Sequence, residues 1–513
     1  MPDYVVVQAG GRGSRLRHLT WNKPKCLVSV EGRPILYRIF DKFPEAKFVV
    51  IGDYKFDELR SYLQMEPPPC DYSLVNTKET GTASGIYEAI SEIDDASSIV
   101  VIWSDILVDG TELNDELNRR IRDTDFGVVL TDNFVCRWSM TEEGALAENP
   151  STTNGVAGIF YMKNKGALAE VPAGGEFVKW VSRNISGFDS FTFNAMREVG
   201  DFDTIQGLNE SSSYCRFFNN IVIEDEVVKK SLTDERYRNV AQDEVNWYKE
   251  VSAREFRHIP QIYSYAPLEM QRIRGKHFFE LEEMESATRR KLIEDYLDVL
   301  GELHALDSTP ADFEACHSVY FRKTVSRTRE IESINPFASR KSLVINGLKC
   351  KNYLHDDYLP ELEKIVSDIC EVEKFSVIHG DCTFSNSLLS DDGRIYLIDP
   401  RGSFDKHKVF GDPRYDFAKL YYSSYSNYDG FNRRKFKLYL DADAGISEVL
   451  TDKSLFKSVS ESVFKEAFGP KLADIKVINA MIWASLSGYA KDDFDSAIGS
   501  YCLGIYYLNK ALE

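Results

Sequence analysis

Gln8-Ala9-Gly10-Gly11-Arg12-Gly13-Ser14-Arg15-Leu16, with Asn22-Lys23-Pro24-Lys25 close behind, decides how the N-terminal part of the chain is read. The loop follows the short apolar run Tyr4–Val7. A strand running into glycines presents bare backbone N–H groups, and it can approach phosphate closely because glycine has no Cβ. Ala9, Gly10, Gly11 and Gly13 are therefore the expected nucleotide-binding backbone, and Arg15 and Lys25 add fixed positive charge over the phosphates. The glycine spacing does not fit the dinucleotide pattern GxGxxG, and Asn22–Lys25 has no place in that pattern.

Around this loop, strand-like and helix-like segments alternate over the first two-fifths of the chain. Lys47–Ile51 and Ser98–Trp103 are apolar runs, and Pro34–Phe43 and Ser84–Ile93 are helix-like. Buried strands alternating with helices predict a mostly parallel sheet covered on both faces. The character changes near Asn209-Glu210-Ser211-Ser212-Ser213. Beyond it, Asn220–Val228 reads as a hairpin, and Ser286–Ala305 and Leu359–Val372 as amphipathic helices. At 513 residues two or three domains are expected.

The loop string continues into Leu27-Val28-Ser29-Val30-Glu31-Gly32-Arg33-Pro34-Ile35-Leu36, and over residues 1–210 the chain resembles the nucleoside-triphosphate transferase family. That family includes sugar-1-phosphate nucleotidyltransferases and phosphocholine cytidylyltransferases. The resemblance implies Mg²⁺ held by two acidic positions. The first maps to Asp105, just after the strand-like run ending at Trp103, at the sheet edge where ligands bind. The second maps to Asp203 in Gly200-Asp201-Phe202-Asp203-Thr204, with Asp201 as the competing position. Gly81 and Thr82, in Gly81-Thr82-Ala83-Ser84-Gly85, match the segment that contacts base and ribose, and Thr82 or Ser84 also suits a helix N-cap. Gly155-Val156-Ala157-Gly158 is similar to the segment lining the acceptor-phosphate site.

A second string stands far downstream: His379-Gly380-Asp381-Cys382-Thr383-Phe384-Ser385-Asn386, then Ile398-Asp399-Pro400-Arg401-Gly402. It resembles the aminoglycoside phosphotransferase and choline kinase family over about residues 212–513 and thins out after Lys419. The resemblance implies that Asp381 takes the proton of an attacking hydroxyl, that Asn386 and Asp399 hold Mg²⁺, and that His379 is structural. Asp412 and Asp416 match a buttressing segment, and Cys382 has no activated-thiol setting. A phosphate-contacting lysine is expected on the small lobe. Lys229 in Val227-Val228-Lys229-Lys230-Ser231 is the expected residue, with Lys230 as the alternative, because alternation lets only one point inward. Glu244 is its expected helix partner. The usual glycine-rich phosphate loop is not evident, and Asn219-Asn220 is the expected turn in its place.

The expected fold class is therefore α/β: a Rossmann-like nucleotidyltransferase sheet domain at 1–210, followed by a two-lobed α+β protein-kinase-like domain at 212–513. Its small lobe covers about 212–280 and its helical lobe about 281–513. Together the resemblances imply a bifunctional enzyme using ATP, Mg²⁺ at both sites and a second nucleoside triphosphate. The kinase would phosphorylate a small metabolite, and the transferase would make an NDP-activated product with release of pyrophosphate. Choline or ethanolamine with CTP stands slightly ahead, because Asp203–Gly207 is more like the phosphocholine cytidylyltransferases, and Tyr421, Tyr422, Tyr425 and Tyr428 offer rings for a quaternary amine. A sugar or polyol is the alternative. The resemblance also implies that products of either kind feed cell-surface polysaccharide assembly. An antibiotic-inactivating kinase with an unrelated fused domain is a rival. So is a non-catalytic nucleotide-sensing protein, which would have no need of metal-binding acids at both sites.

The net charge of −19 argues against nucleic-acid or anionic-membrane partners, leaving small-molecule substrates. No apolar run is long enough to span a bilayer, and the N-terminus lacks the basic region of a signal peptide. The nine cysteines are dispersed without a CxxC pair, so the expected compartment is the reducing cytoplasm. Nothing in the sequence speaks for a homo-oligomer.

Overall fold

The computed structural model describes residues 1–211, 219–233 and 235–513. The chain divides into two compact units, Met1–Glu210 with Asp492–Phe494, and Ser211–Lys491 with Asp495–Glu513. The expected seam at 209–213 runs into residues 212–218, which lie outside the described residues.

The first unit is built on a nine-stranded sheet. Its central strands stand in the order Tyr72–Asn76, Lys47–Gly52, Tyr4–Gln8, Ile99–Trp103, Gly155–Met162. The first four are mutually parallel, and Gly155–Met162 joins antiparallel. Val5–Val7, Val49–Ile51 and Ile99–Ile102 are almost wholly buried, as β-branched runs covered by helices on both faces should be. Tyr4–Gln8 has the next strand of this sheet, Lys47–Gly52, on one side and the later Ile99–Trp103 on the other, so it sits at the point where the winding reverses. Ligands bind at the carboxyl ends of such strands. Gln8 stands opposite Trp103 in register, and the Ser104 N–H donates to the Gln8 carbonyl at 3.3 Å. The loops starting at Ala9 and Ser104 therefore leave the sheet side by side.

The second unit opens with an antiparallel sheet in the order Asn219–Ile223, Val227–Leu232, Leu268–Gln271, Ile262–Tyr265, with helix Arg238–Ala253 following its second strand. The expected hairpin is present. Asn219 and Asn220 begin its first strand rather than forming a turn, and residues 224–226 make the turn. A helical part follows, including Ser286–His304, Leu359–Cys370, Pro413–Ser424 and Leu472–Tyr489. Within it stands a four-stranded sheet not read from the sequence, in the order Leu348–Lys351, Ser342–Ile345, Ile446–Thr451, Phe436–Asp441. Alternate residues of Phe436–Asp441 are buried, a period of two that a window tuned to helices passes over. The hairpin Ser387–Ser390 with Ile395–Leu397 places Ser387 opposite Leu397, and the Ile398 N–H donates to the Asn386 carbonyl at 3.0 Å, so Asp399 follows directly after the residue that meets Asn386.

Candidate active sites

In the first unit the glycine loop crosses the carboxyl edge of the sheet. The Ala9 N–H donates to the Ile51 carbonyl at 2.9 Å, which anchors the loop's start. A Cβ on Gly10 would stand 2.8 Å from that of Asp53, whereas at Gly11 it would meet nothing within 4 Å, so the loop's face is open there. Gly13 has φ +64° and ends the loop in the left-handed region. A side chain there would be strained and would press on Lys25 at 3.1 Å. The short helical turn Lys25–Leu27 then aims the lysine at the neighbouring strand end. Lys25 Nζ lies 2.5 Å from Asp105 Oδ2, with both side chains largely buried. Gln8, which sequence reasoning did not single out, donates from Nε2 to the Thr82 carbonyl at 2.7 Å and ties helix Thr82–Ala89 to this edge. Gly81 precedes that helix, and the Thr82 hydroxyl accepts from the Phe177 N–H.

Arg15 donates to Glu198 Oε1 at 2.7 Å, a second partner missed from sequence. That bond holds the guanidinium firmly charged despite partial burial, and Glu198, Asp105 and Asp201 are the carboxylates acting most strongly on it. The Val199 N–H donates to the Asp105 carbonyl at 2.8 Å, which brings this segment to Asp105. Asp201 accepts from the Thr204 N–H and hydroxyl at the start of helix Phe202–Ser211, and those bonds lower its pKa. Asp203 is on the outer side of the same turn, 79% exposed, and its ion-pair partner is Arg17 at 3.6 Å. The geometry groups Asp201, rather than Asp203, with Arg15 and Asp105. A cap residue points back across the helix start, and a residue two further on points away.

In the second unit, Lys230 is the inward lysine and corrects the expectation of Lys229. Lys230 Nζ donates to both Glu244 oxygens at 2.8 Å and to Asp399 Oδ1 at 2.5 Å. Lys229 faces outward to Glu224 at 2.8 Å. The strand's alternation decides between them: the Lys230 side chain is 9% exposed and that of Lys229 39%. Burial disfavours the Lys230 charge, but Asp399 and Glu244 outweigh it and hold the ammonium above its ordinary range. Glu244 is held where the loop after Asp399 crosses its helix. Gly402, at φ +69°, passes so close that a Cβ would stand 2.2 Å from the Asp243 carbonyl oxygen.

The loop His379–Asn386 is fixed from beneath. Buried Asp416 accepts the N–H groups of His379 and Gly380 at 2.8 and 2.7 Å, and His304 Nε2 at 3.1 Å. Burial pushes its carboxyl up, yet the His304 bond and the neighbouring charges and N–H groups bring it below the usual aspartate value. His379 Nε2 donates to the Ile398 carbonyl at 3.0 Å, while Nδ1 accepts from the Asp381 N–H. Burial lowers its pKa, so the ring is a neutral brace. Asn386 Nδ2 donates to Asp381 Oδ2 at 2.9 Å. Asp399 takes φ +54°, a backbone state that aspartate adopts at a cost and that recurs at active sites. Cys382 is buried, its thiol pushed well up by burial, and it donates to the Asp416 carbonyl. Asp412 caps helix Pro413–Ser424 and accepts from Tyr320 and Arg414.

The expected aromatic cage is not open. Tyr421 stacks on Tyr425 at 4.7 Å and Tyr422 on Tyr428 at 4.3 Å, with Trp483 packed edge-on against Tyr422. The eight cysteines among the described residues are free thiols. Among the described residues no helix is long and apolar enough to cross a membrane.

Each unit thus carries its own cluster of lysine against aspartate, and each unit matches a transferase family. Residues 5–140 are a MobA-like NTP transferase domain, and residues 218–448 belong to the phosphotransferase enzyme family. Both are enzyme families, and they fall on the two stretches the sequence motifs mark. Over 54 residues the chain is 49% identical to the UTP–glucose-1-phosphate uridylyltransferase AglF of Haloferax volcanii, covering 10% of this chain and 22% of the relative. Over 171 residues it is 27% identical to the bifunctional protein GlmU of Methanocaldococcus jannaschii, covering 31% and 40%. The chain thus spans between about a fifth and two-fifths of the length of these curated relatives. Among solved structures, HddC from Yersinia pseudotuberculosis in complex with GMP-PN is similar at 18% identity and a TM-score of 0.36, over 41% of this chain and 99% of that one.

Proposed function

We propose that the second unit phosphorylates a hydroxyl of a small metabolite with ATP, and that the first unit joins such a phosphate to a nucleotide with release of pyrophosphate. The observation that carries the reading is the Lys230–Glu244–Asp399 cluster standing with the Asp381–Asn386 pair. Asp381 accepts the proton of the attacking hydroxyl, and Lys230 draws charge from the phosphates. In the first unit Arg15 and Lys25 stabilise charge on the α-phosphate as the acceptor phosphate attacks, and no covalent enzyme intermediate is needed.

Asn386 with Asp399, and Asp105 with Asp201, supply the hard oxygen donors that suit Mg²⁺, and each site already sets a lysine against a carboxylate. Magnesium bound there would neutralise phosphate charge. CTP with an amino alcohol is one acceptor pairing, and its support from the tyrosine rings falls away with their packing. A sugar phosphate with another nucleotide is the second reading, favoured by the match to the Haloferax uridylyltransferase.

The test is pyrophosphate release by the full chain with ATP and Mg²⁺, across CTP, UTP, GTP and dTTP against choline, ethanolamine, glycerol, sugars and their phosphates. Release requiring ATP and one acceptor–nucleotide pair supports the coupled reading. Release from no pair, pre-phosphorylated acceptors included, contradicts the transferase assignment.

A further inference from the structure

Asp381 has two carboxylate oxygens with different neighbours. Oδ2 accepts from Asn386, on the metal-binding side, while Oδ1 faces Lys419 Nζ at 2.9 Å. Lys419 is not alone. Arg401, two residues past Asp399, is pinned by its N–H to the His379 carbonyl, and its Nη1 donates to the Tyr415 hydroxyl at 3.4 Å. Tyr415 lies one turn before Lys419 on helix Pro413–Ser424, and the Lys419 ammonium is 5.9 Å from its ring. Helix Lys323–Glu330 adds Lys323 and Arg327, four residues apart and so on one face. Arg327 is oriented by Ser485 at 3.2 Å and by the Tyr489 ring.

Lys323 stands in the field of the other three. Burial, then Arg401, Arg327 and Lys419, drive its pKa well down, with Asp381 the opposing charge. All four cations are half-buried, and among the described residues no carboxylate pairs within 4.0 Å with Lys323, Arg327 or Arg401. Like charges brought this close repel one another, and half-buried cations that lack a carboxylate partner are costly. A chain of net charge −19 does not lack carboxylates to place there. The ATP phosphates have their own partners in Lys230 and the Asp399 side.

We propose that the acceptor at this site is a hydroxylated anion, whose carboxylate or phosphate group is held by Lys323, Arg327, Arg401 and Lys419 while its hydroxyl meets Asp381. The inference rests on the phosphotransferase reading above. The acceptor oxygen bonds to the γ-phosphorus of ATP, the bond from that phosphorus to the bridging oxygen breaks, ADP leaves, and the hydroxyl proton passes to Asp381. Choline would bring a fifth positive charge to the same place.

The test measures ADP release by the full chain with ATP and Mg²⁺, taking the Asp381→Ala protein as the blank for each acceptor. Glycerate represents carboxylates, and glycerol phosphate and hexose phosphates represent phosphates. Glycerol, glucose, choline and ethanolamine complete the panel. The expected result is Asp381-dependent turnover of at least one anion, with kcat/KM about tenfold or more above its uncharged counterpart. Glycerate and the phosphates then tell the two sources of negative charge apart. Arg327→Gln should raise KM for that anion about fivefold or more with little change in kcat or in the KM for ATP, and Arg327→Lys should recover part of the loss. Choline, ethanolamine or an uncharged acceptor turned over as well as the best anion, or no anion turned over, overturns the inference. So does an Arg327→Gln protein that loses kcat equally with every acceptor and binds ATP more weakly, since the cations would then serve the transferred phosphoryl group. The wild-type panel decides alone if that protein misfolds. ADP release undiminished in Asp381→Ala strikes instead at the phosphotransferase reading.

Discussion

Each unit sets a lysine against an aspartate, but the two arrangements are built differently. In the first, Lys25 and Asp105 come from two loops leaving adjacent strands, and the lysine has one carboxylate. In the second, Lys230 from a strand is shared by Glu244 from a helix and Asp399 from a loop, with Lys230 and Glu244 both nearly fully buried. The first pair needs the turn Lys25–Leu27 and the end of strand Ile99–Trp103. The second needs three elements to converge, so it depends on which of two adjacent lysines faces inward. Removing one partner leaves one charge unpaired in the first site and disturbs two remaining partners in the second.

The sharpest way to break this comparison is to exchange the lysines. Lys230→Met should lower ADP release by about 10²–10³-fold, the cost of removing one preorganised donor from a site of developing charge, and Lys229→Met should change it by less than about twofold. Equal effects in steady-state assays would mean that the strand does not present Lys230 alone. Next in size is a stability effect. Asp416→Ala removes the acceptor of two N–H groups and His304, and should cost about 3 kcal/mol in urea denaturation of the full chain. The pH sign follows from a folded pKa below the ordinary 3.8: Asp416 stabilises fully above that value, and its contribution is lost as pH falls through the depressed one. A wild-type and Asp416→Ala difference that grew on acidification would contradict this.

Lys25→Met should reduce pyrophosphate release by about a hundredfold while leaving ADP release intact. Smallest is the contrast within the second acidic segment. Asp203→Ala should alter pyrophosphate release by less than about threefold, an exposed carboxylate contributing little, with Asp201→Ala the more damaging change. The reverse order would restore Asp203 to the site.

Much of this was legible because some positions are dictated by local chemistry. A strand ending in glycines, an Asp after a buried run, and His379–Asn386 with Asp399 each bring their context with them, and the structure places them at sheet edges and beside one hairpin. Lys229 and Lys230 were not separable, because both neighbours of a strand residue look alike until the sheet's covered face is known. Glu198 and Gln8 act through contacts spanning 183 and 74 residues, with no local pattern to mark them. Lys419 carries no local pattern either, and only the packing of its helix brings it to Asp381. The tyrosines err the other way: rings spaced along one helix and the next form their own core.

The most direct test of two separate sites in one chain is to measure ADP and pyrophosphate release in parallel for wild type, Asp381→Ala and Asp105→Ala, with the acceptor supplied both free and pre-phosphorylated. Asp381→Ala should lose ADP release yet keep pyrophosphate release from the phosphorylated acceptor, and Asp105→Ala should keep the first and lose the second. Either substitution abolishing both activities, or neither, would contradict the account.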